Sequence, residues 1–245
     1  MSNIPAKILI FGRLSYPHLF EKYVAPAYAD ASEPAYSAGL IQSKESIEIA
    51  KRIFNPAISP AEKWQDLCQS IIYNPRDLHE LALNVAETNF PRGHKGRPLD
   101  FTDREFFLLI PRDGSKKPDS PGYGPGTWFF TMNNRKDRPL LLDQRKNKVL
   151  ESTPELFYPG CFVLAQCTIY ATGINSAKKK GIGLGLLCLQ HVEEGERMGG
   201  SVGNPDAFSE IAMPQGFLQN DDADEYDPTA FGQPTPENKW NFPSL

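Results

Sequence analysis

The chain has 245 residues, 40% hydrophobic and 23% charged, with a formal net charge of −4. That is the composition of one elaborated domain or two small ones with a real core, and no apolar run is longer than a strand, which excludes a membrane-spanning helix. The opening MSNIPAKILIFGRLSYPHLF lacks the charged-then-apolar layout of a signal peptide, so a cytoplasmic protein is expected. Four cysteines without Cys-x-x-Cys spacing and four scattered histidines leave no legible zinc site. They are expected to be ordinary buried thiols and side chains, with no metal and no cofactor.

In chain order, AKILIFGRL and PAYSAGLIQ read as two strands, and three helices follow. Ile47, Ala50, Ile53 and Phe54 recur at helical spacing. SPAEKWQDLCQSII places Ser59 as N-cap, Pro60 first and Glu62 in a capping box, with Trp64, Leu67, Cys68, Ile71 and Ile72 as one face. NPRDLHELALNVA repeats the device, with Asn74 as cap and Leu78, Leu81, Ala82 and Val85 buried.

From Phe90 onward Gly, Pro and basic residues mark long loops, in NFPRGHKGRPLD and PRDGSKKPDSPGYGPG. The runs REFFLLI, TWFFTM, PLLLD, CFVLAQCTIY and GIGLGLLCLQHV read as strands. Between Arg92 and Lys148 thirteen basic and seven acidic residues give a net of +6. From Asp206 to the end, eight acids against Lys239 alone give −7, which leaves the body mildly basic. Without βαβ alternation a doubly wound fold is not expected. The pattern fits a mainly β, α+β domain, a Greek-key barrel over residues 1–214 with a helical insertion at about 44–87. Residues 215–245 lack periodicity and are expected to be a disordered acidic tail.

YATGINSAKKKGIGLGLLCLQ raises the choice between a phosphate-cradling loop and a strand surface. In a Walker loop the lysine follows the glycines, and here the lysines come first. A dinucleotide fingerprint opens a helix, and here Gly181, Gly183 and Gly185 alternate strictly. Alternation means a strand with a bare face, while Ile182, Leu184 and Leu186 fill the core. Such a face either admits another backbone or a base, or relieves crowding where a barrel curves. In the preceding strand Cys161, Val163, Ala165, Cys167 and Ile169 share one face and Phe162, Leu164, Gln166, Thr168 and Tyr170 the other. The connecting hairpin carries Lys178, Lys179 and Lys180.

The segments GTWFFTMNNRKDRPLLLDQ, ELFYPGCFVLAQCTIYA, KKKGIGLGLLCLQHVEEGERMGG and DAF resemble a tailed-phage family of single-stranded DNA-binding proteins, one similar to that of T7-like bacteriophages. The resemblance covers Gly126 to Phe208 well and the N-terminal strands loosely. Its most specific parts are the turn at Phe157 to Cys161 and the strand at Lys180 to Leu186. It implies an OB-fold, DNA binding without sequence preference in the host cell, and an acidic tail that contacts replication proteins such as a polymerase, helicase or nuclease. It leaves open double-stranded DNA as a further ligand and a homodimer as the assembly. Tails in the T7-like group end on an aromatic residue, whereas here Trp240 and Phe242 lie just inside the end.

A non-specific single-strand binder needs cations along a groove and aromatic faces for the bases. The candidates are Arg112, Lys116, Lys117, Tyr123, Trp128, Phe130, Arg135, Lys136, Arg138, Tyr158, Tyr170 and the lysine loop. Trp128 and Phe130 share a strand face opposite Phe129, so one set belongs to the core; Tyr123, in a Gly/Pro loop, is the most exposed candidate. For the tail, the candidate partner-binding residues are Asp221, Asp222, Asp224, Glu225, Tyr226, Asp227, Phe231, Trp240 and Phe242. No nucleophile elbow or His-Glu-x-x-His appears, and no enzyme is expected. The alternatives are a nuclease or nucleotide-processing enzyme that holds a metal on Asp100, Asp103 and Glu105, and a phage interaction protein without a nucleic-acid role.

Overall fold

β-branched and aromatic residues start the chain, and they form strand. In the computed structural model, described over residues 7–24, 33–90, 107–150, 153–173 and 180–199, β1 (Ile8–Tyr23) pairs antiparallel with β2 (Ala35–Gln42). The helical insertion follows as α1 (Lys44–Ile53), α2 (Glu62–Ser70), the two-residue β3 (Ile71–Ile72) and α3 (Pro75–Asn89). Then come β4 (Phe107–Leu108), β5 (Arg112–Asp113), β6 (Trp128–Asn134), β7 (Leu140–Leu142), β8 (Phe162–Thr172) and β9 (Lys180–Glu193).

Five strands close on themselves. β1 pairs β2 on one side and β8 on the other, β2 pairs β6, and β8 pairs β9. The parallel β6–β9 pairing, Met132 with Leu184 and Asn133 with Gly185, completes the ring. This is the OB-fold-like Greek-key barrel expected from the strand pattern, and closure removes the edges of its central strands. The interior is apolar: Ile10, Leu40, Phe130, Met132, Leu184 and Leu189 are fully or almost fully buried. A second cluster of Phe11, Ala50, Phe54, Phe162 and Leu164 packs α1 onto the outer face of β1 and β8. The two faces of β8 therefore divide as its alternation requires.

Helix signals were legible where capping chemistry was unambiguous. Asn74 caps α3, accepting from the Arg76 amide with Pro75 in the first turn. Ser43 caps α1 in a reciprocal box with Ser46. The second helix differs from expectation. It starts at Glu62 behind Ala61, with no side-chain cap. Ser59 instead accepts from the Ala61 amide, because a 3₁₀ turn at Pro56–Ile58, capped by Asn55, precedes it and leaves Ser59 extended. Ile71 and Ile72 leave the helix stripe and pair in parallel with Leu9 and Ile10, since a place beside β1 buries Ile71 and satisfies its backbone. Of REFFLLI, only Phe107–Leu108 is strand among the described residues.

The alternating glycines of β9 turn out to make room for the protein's own atoms. A β-carbon at Gly181 would lie 2.7 Å from the Leu108 carbonyl oxygen; one at Gly183 would lie 2.8 Å from the Tyr170 ring; one at Gly185 would lie 2.4 Å from Thr168 Oγ1. Ile182, Leu184 and Leu186 point inward as expected. Burial pushes the Cys161 thiol up to about 12 and also raises Cys167, so both are inert, buried sulfhydryls.

Candidate nucleic-acid interface

The outer face of β1, β2 and β6 brings small residues, aromatics and cations together. Residues paired across a ladder share a face. The outward rows are therefore Arg13–Ile41–Phe129–Arg112, Ser15–Gly39–Thr131 and His18–Ser37–Asn133, with Tyr23 opposite Ala35. Above the small side chains of Ala35, Ser37 and Gly39 lies a groove of about 700 Å³. Its walls carry Tyr16, His18 and Tyr23 of β1 together with Lys117, Tyr123 and Arg135, and the Tyr16 and Tyr123 rings meet at 6.2 Å.

Each wall is positioned by a local cause. The β1–β2 register slips between Ser15 and His18, and Tyr16 sits at φ 44. This bulge turns the Tyr16 ring outward, leaving it 52% exposed next to the buried Leu14 and Ser15. The His18 ring stacks on Tyr23 at 4.1 Å and 11°, and Tyr23 remains 46% exposed. Burial lowers the His18 pKa, which favours the neutral ring stacked flat on Tyr23. Tyr123 stands edge-on to Phe129 at 5.0 Å, and its hydroxyl is 2.7 Å from Ser15 Oγ. Gly39 keeps this approach close: a β-carbon would press to 3.1 Å on both Ser15 O and Ser15 Oγ, so the group that holds Tyr123 would have to give by a few tenths of an ångström.

The cations gather on the aromatic end. Lys117 Nζ lies 5.2 Å over Tyr123 and 4.8 Å over Phe129, and the Arg112 guanidinium lies 4.5 Å over the same Phe129 ring. Burial, and then the positive charge of Arg112, lower the Lys117 pKa. An anion arriving between these two cations would relieve their mutual repulsion, which makes this end of the groove a fit for phosphate.

Of the residues singled out in the sequence, Arg112, Lys117, Tyr123 and Arg135 come to this face, whereas Trp128, 37% exposed and in register with Gln42 and Asp113, takes the opposite parity of β6 at the barrel's rim. Lys116 and Lys136 are exposed on flanking turns. Tyr123 is half-buried rather than the most exposed of the set. Phe130 is a correction: its ring is fully buried inside the barrel, because the β6 pleat aims it at Leu40 and Met132, and no base can reach it. Tyr158 is a second correction. It is 8% exposed, donates to the Glu194 carboxylate and accepts from the Gly195 amide, and so pins the segment after β9 to the Phe157–Cys161 turn. Tyr170 covers Gly183 on the β8–β9 face. Arg138 lies over Phe20, and Lys180 lies over Phe90 while donating to the Gly173 carbonyl. Lys178, Lys179, the acids Asp100, Asp103 and Glu105, and the whole tail from Asp221 to Phe242 lie outside the described residues. Among the described residues no group of three or more His, Cys, Asp or Glu is placed to hold a metal, and no helix is long and apolar enough to cross a membrane.

Sequence reasoning passed over Tyr16, His18, Tyr23, Ser37, Gly39, Thr131 and Asn133. The signal was present in RLSYPHLFEKY, where aromatics and cations interleave, and in AYSAGL, where Ser37 and Gly39 alternate on one face.

Barrel and groove together define an OB-fold-like protein with a strand-sized outer cleft. Residues 105–218, a little under half of the chain, match the model of the family described as Enterobacter phage Enc34, ssDNA-binding protein, and the resemblance read in the sequence is thereby shown. Among solved structures, the chain is similar to the single-stranded DNA-binding protein from bacteriophage Enc34 in complex with ssDNA. The TM-score is 0.50 and the identity 20%, over 79% of this chain and 90% of that one. The same phage protein without DNA gives a TM-score of 0.47 at 19% identity, over 82% and 88%. The single-stranded DNA-binding protein gp2.5 of bacteriophage T7 gives 0.38 at 16%, over 78% and 93%. No curated protein matches the chain.

Proposed function

We propose that this protein is a phage single-stranded DNA-binding protein that holds the strand along the β1–β2–β6 groove without enzymatic activity. The observation that carries the reading is the groove itself, where exposed aromatic rings flank a floor of small residues, with Lys117 and Arg112 toward the Phe129 end and Arg135 toward the other. Bases stack on Tyr16, Tyr23 and Trp128, which suits any base because every base has a π-face. Phosphates lie near Arg112, Lys117 and Arg135. Duplex DNA binds more weakly, because its base faces are already stacked. The family match supports the assignment to single strands.

The test is a salt series with an oligo-dT strand and a matched duplex. Log K for the single strand should fall linearly with log salt, by about 0.7 per phosphate neutralised. Lys117→Ala with Arg135→Ala should flatten that slope by roughly one to one and a half. Single-strand affinity no greater than duplex affinity at every salt concentration would overturn the reading.

In this reading the protein protects and organises single strands during replication and recombination, and its tail serves partners. The net charge of residues 215–245, six acids against Lys239, is −5, opposite in sign to the groove. It competes weakly with DNA, and when displaced offers Tyr226, Phe231, Trp240 or Phe242, framed by acids, to a replication protein. Deleting residues 215–245 should tighten oligo-dT binding at low salt, with the difference vanishing at high salt where charge is screened. It should also abolish capture of a polymerase, helicase or nuclease from infected cells. Weaker DNA binding by the truncated protein would exclude competition, and undiminished capture would exclude docking.

A further inference from the structure

Between the two aromatic walls, the groove floor carries side chains that read neither charge nor shape alone. Ser37 of β2 and Asn133 of β6 are direct cross-strand partners, and His18 of β1 continues the row. All three line the groove. Among the described residues neither the Ser37 hydroxyl nor the Asn133 amide is tied to a protein partner, whereas the neighbouring Asn134 amide donates to Leu186 O and accepts from two turn amides. Beyond Asn133 the row meets Gly185, so β9 sets no side chain beside the amide there, and Thr168 of β8 leans over that glycine. An amide offers an acceptor oxygen and two donor hydrogens on one rotatable group.

We infer that Asn133 is a base-edge contact that stays neutral among bases. The inference rests on the proposed seat of the strand in this groove. A base stacked on Tyr16 or Tyr23 turns its edge toward the floor. Every base edge sets a donor next to an acceptor, and the Asn133 amide matches either order by turning over. It thus contributes a hydrogen bond to each base and discriminates against none. Ser37, whose hydroxyl both donates and accepts, does the same. Lack of sequence preference is then a property of specific side chains as well as of stacking.

The test changes only the hydrogen-bonding character of the floor. Asn133→Asp offers acceptors alone. It should favour strands with exocyclic amines, dC and dA, over dT, whose single N–H lies between two repelling carbonyl oxygens. The ratio of oligo-dC to oligo-dT affinity should rise roughly tenfold relative to the parent. The added negative charge weakens all strands alike and cancels in that ratio. Asn133→Leu should weaken all strands by a similar factor, with the ratio unchanged. An Asn133→Asp variant with the parental ratio, in a protein that still binds oligo-dT, would overturn this inference and leave the groove assignment standing. Absence of single-strand binding by the parent would overturn the groove assignment itself. The expected ratio change establishes both.

Discussion

Alanine at Tyr16 and Tyr23 together should weaken oligo-dT binding by roughly thirtyfold or more at fixed salt, with melting temperature changed by only a few degrees. Each base–aromatic stack is worth about 1–3 kcal/mol, and two of them span roughly thirtyfold to above a thousandfold. The fold should not suffer, because both rings are about half exposed and lie outside the barrel interior. The single variants should differ in kind. Tyr23→Ala also strips the stacked partner from His18, whereas Tyr16→Ala leaves Tyr123 in place through its Ser15 contact. The salt slope should stay parental in both, because no cation is removed. A double variant that binds oligo-dT as tightly as the parent would move the stacking surface off this face. A flattened slope would show that the loss came through displaced cations.

The barrel was legible in the sequence because its strands obey period two where both faces have work to do. In β8, Val163, Ala165 and Cys167 feed the interior while Phe162 and Leu164 receive α1. In β9, Ile182, Leu184 and Leu186 leave no alternative to a core face. The groove was less legible, for two physical reasons. It is assembled from β1, β2 and β6, strands separated by the helical insertion and by a long loop, so no single window contains it. Its near wall also depends on a bulge: the slip between Ser15 and His18 inverts the parity of β1, and an alternating pattern read straight through assigns Ser15 and His18 to different faces. The basic window from Arg92 to Lys148 supplies Arg112, Lys117 and Arg135 to the face that carries the groove. The glycine run of β9 does not line the groove. Gly181, Gly183 and Gly185 are occupied by Leu108, Tyr170 and Thr168, while the glycine that shapes the groove is Gly39.

Phe130→Ala and Trp128→Ala, two residues apart on one strand, should fail in opposite ways. The β6 pleat gives them the same parity, but Phe130 pairs with Leu40 in mid-barrel, whereas Trp128 pairs with Gln42 at the barrel's rim. Phe130 is fully buried and Trp128 is 37% exposed. Removing a buried phenyl ring costs about 3–5 kcal/mol, the lost transfer energy plus the cavity left among side chains that cannot close over it. That is a large part of the roughly 5–15 kcal/mol that stabilises a domain. The urea midpoint of Phe130→Ala, followed by circular dichroism, should therefore fall steeply at an unchanged m-value. DNA affinity of the fraction still folded should be parental, because the ring never meets a base. Trp128→Ala should leave the midpoint nearly in place and weaken oligo-dT binding by one stacking contact. In the parent, oligo-dT should quench tryptophan emission, and variants lacking Trp64 and Trp240 should assign the quenching to Trp128. A midpoint for Trp128→Ala as low as that of Phe130→Ala would put the indole in the core and remove it from the interface. A Phe130→Ala protein of parental stability that no longer binds DNA would invert both assignments.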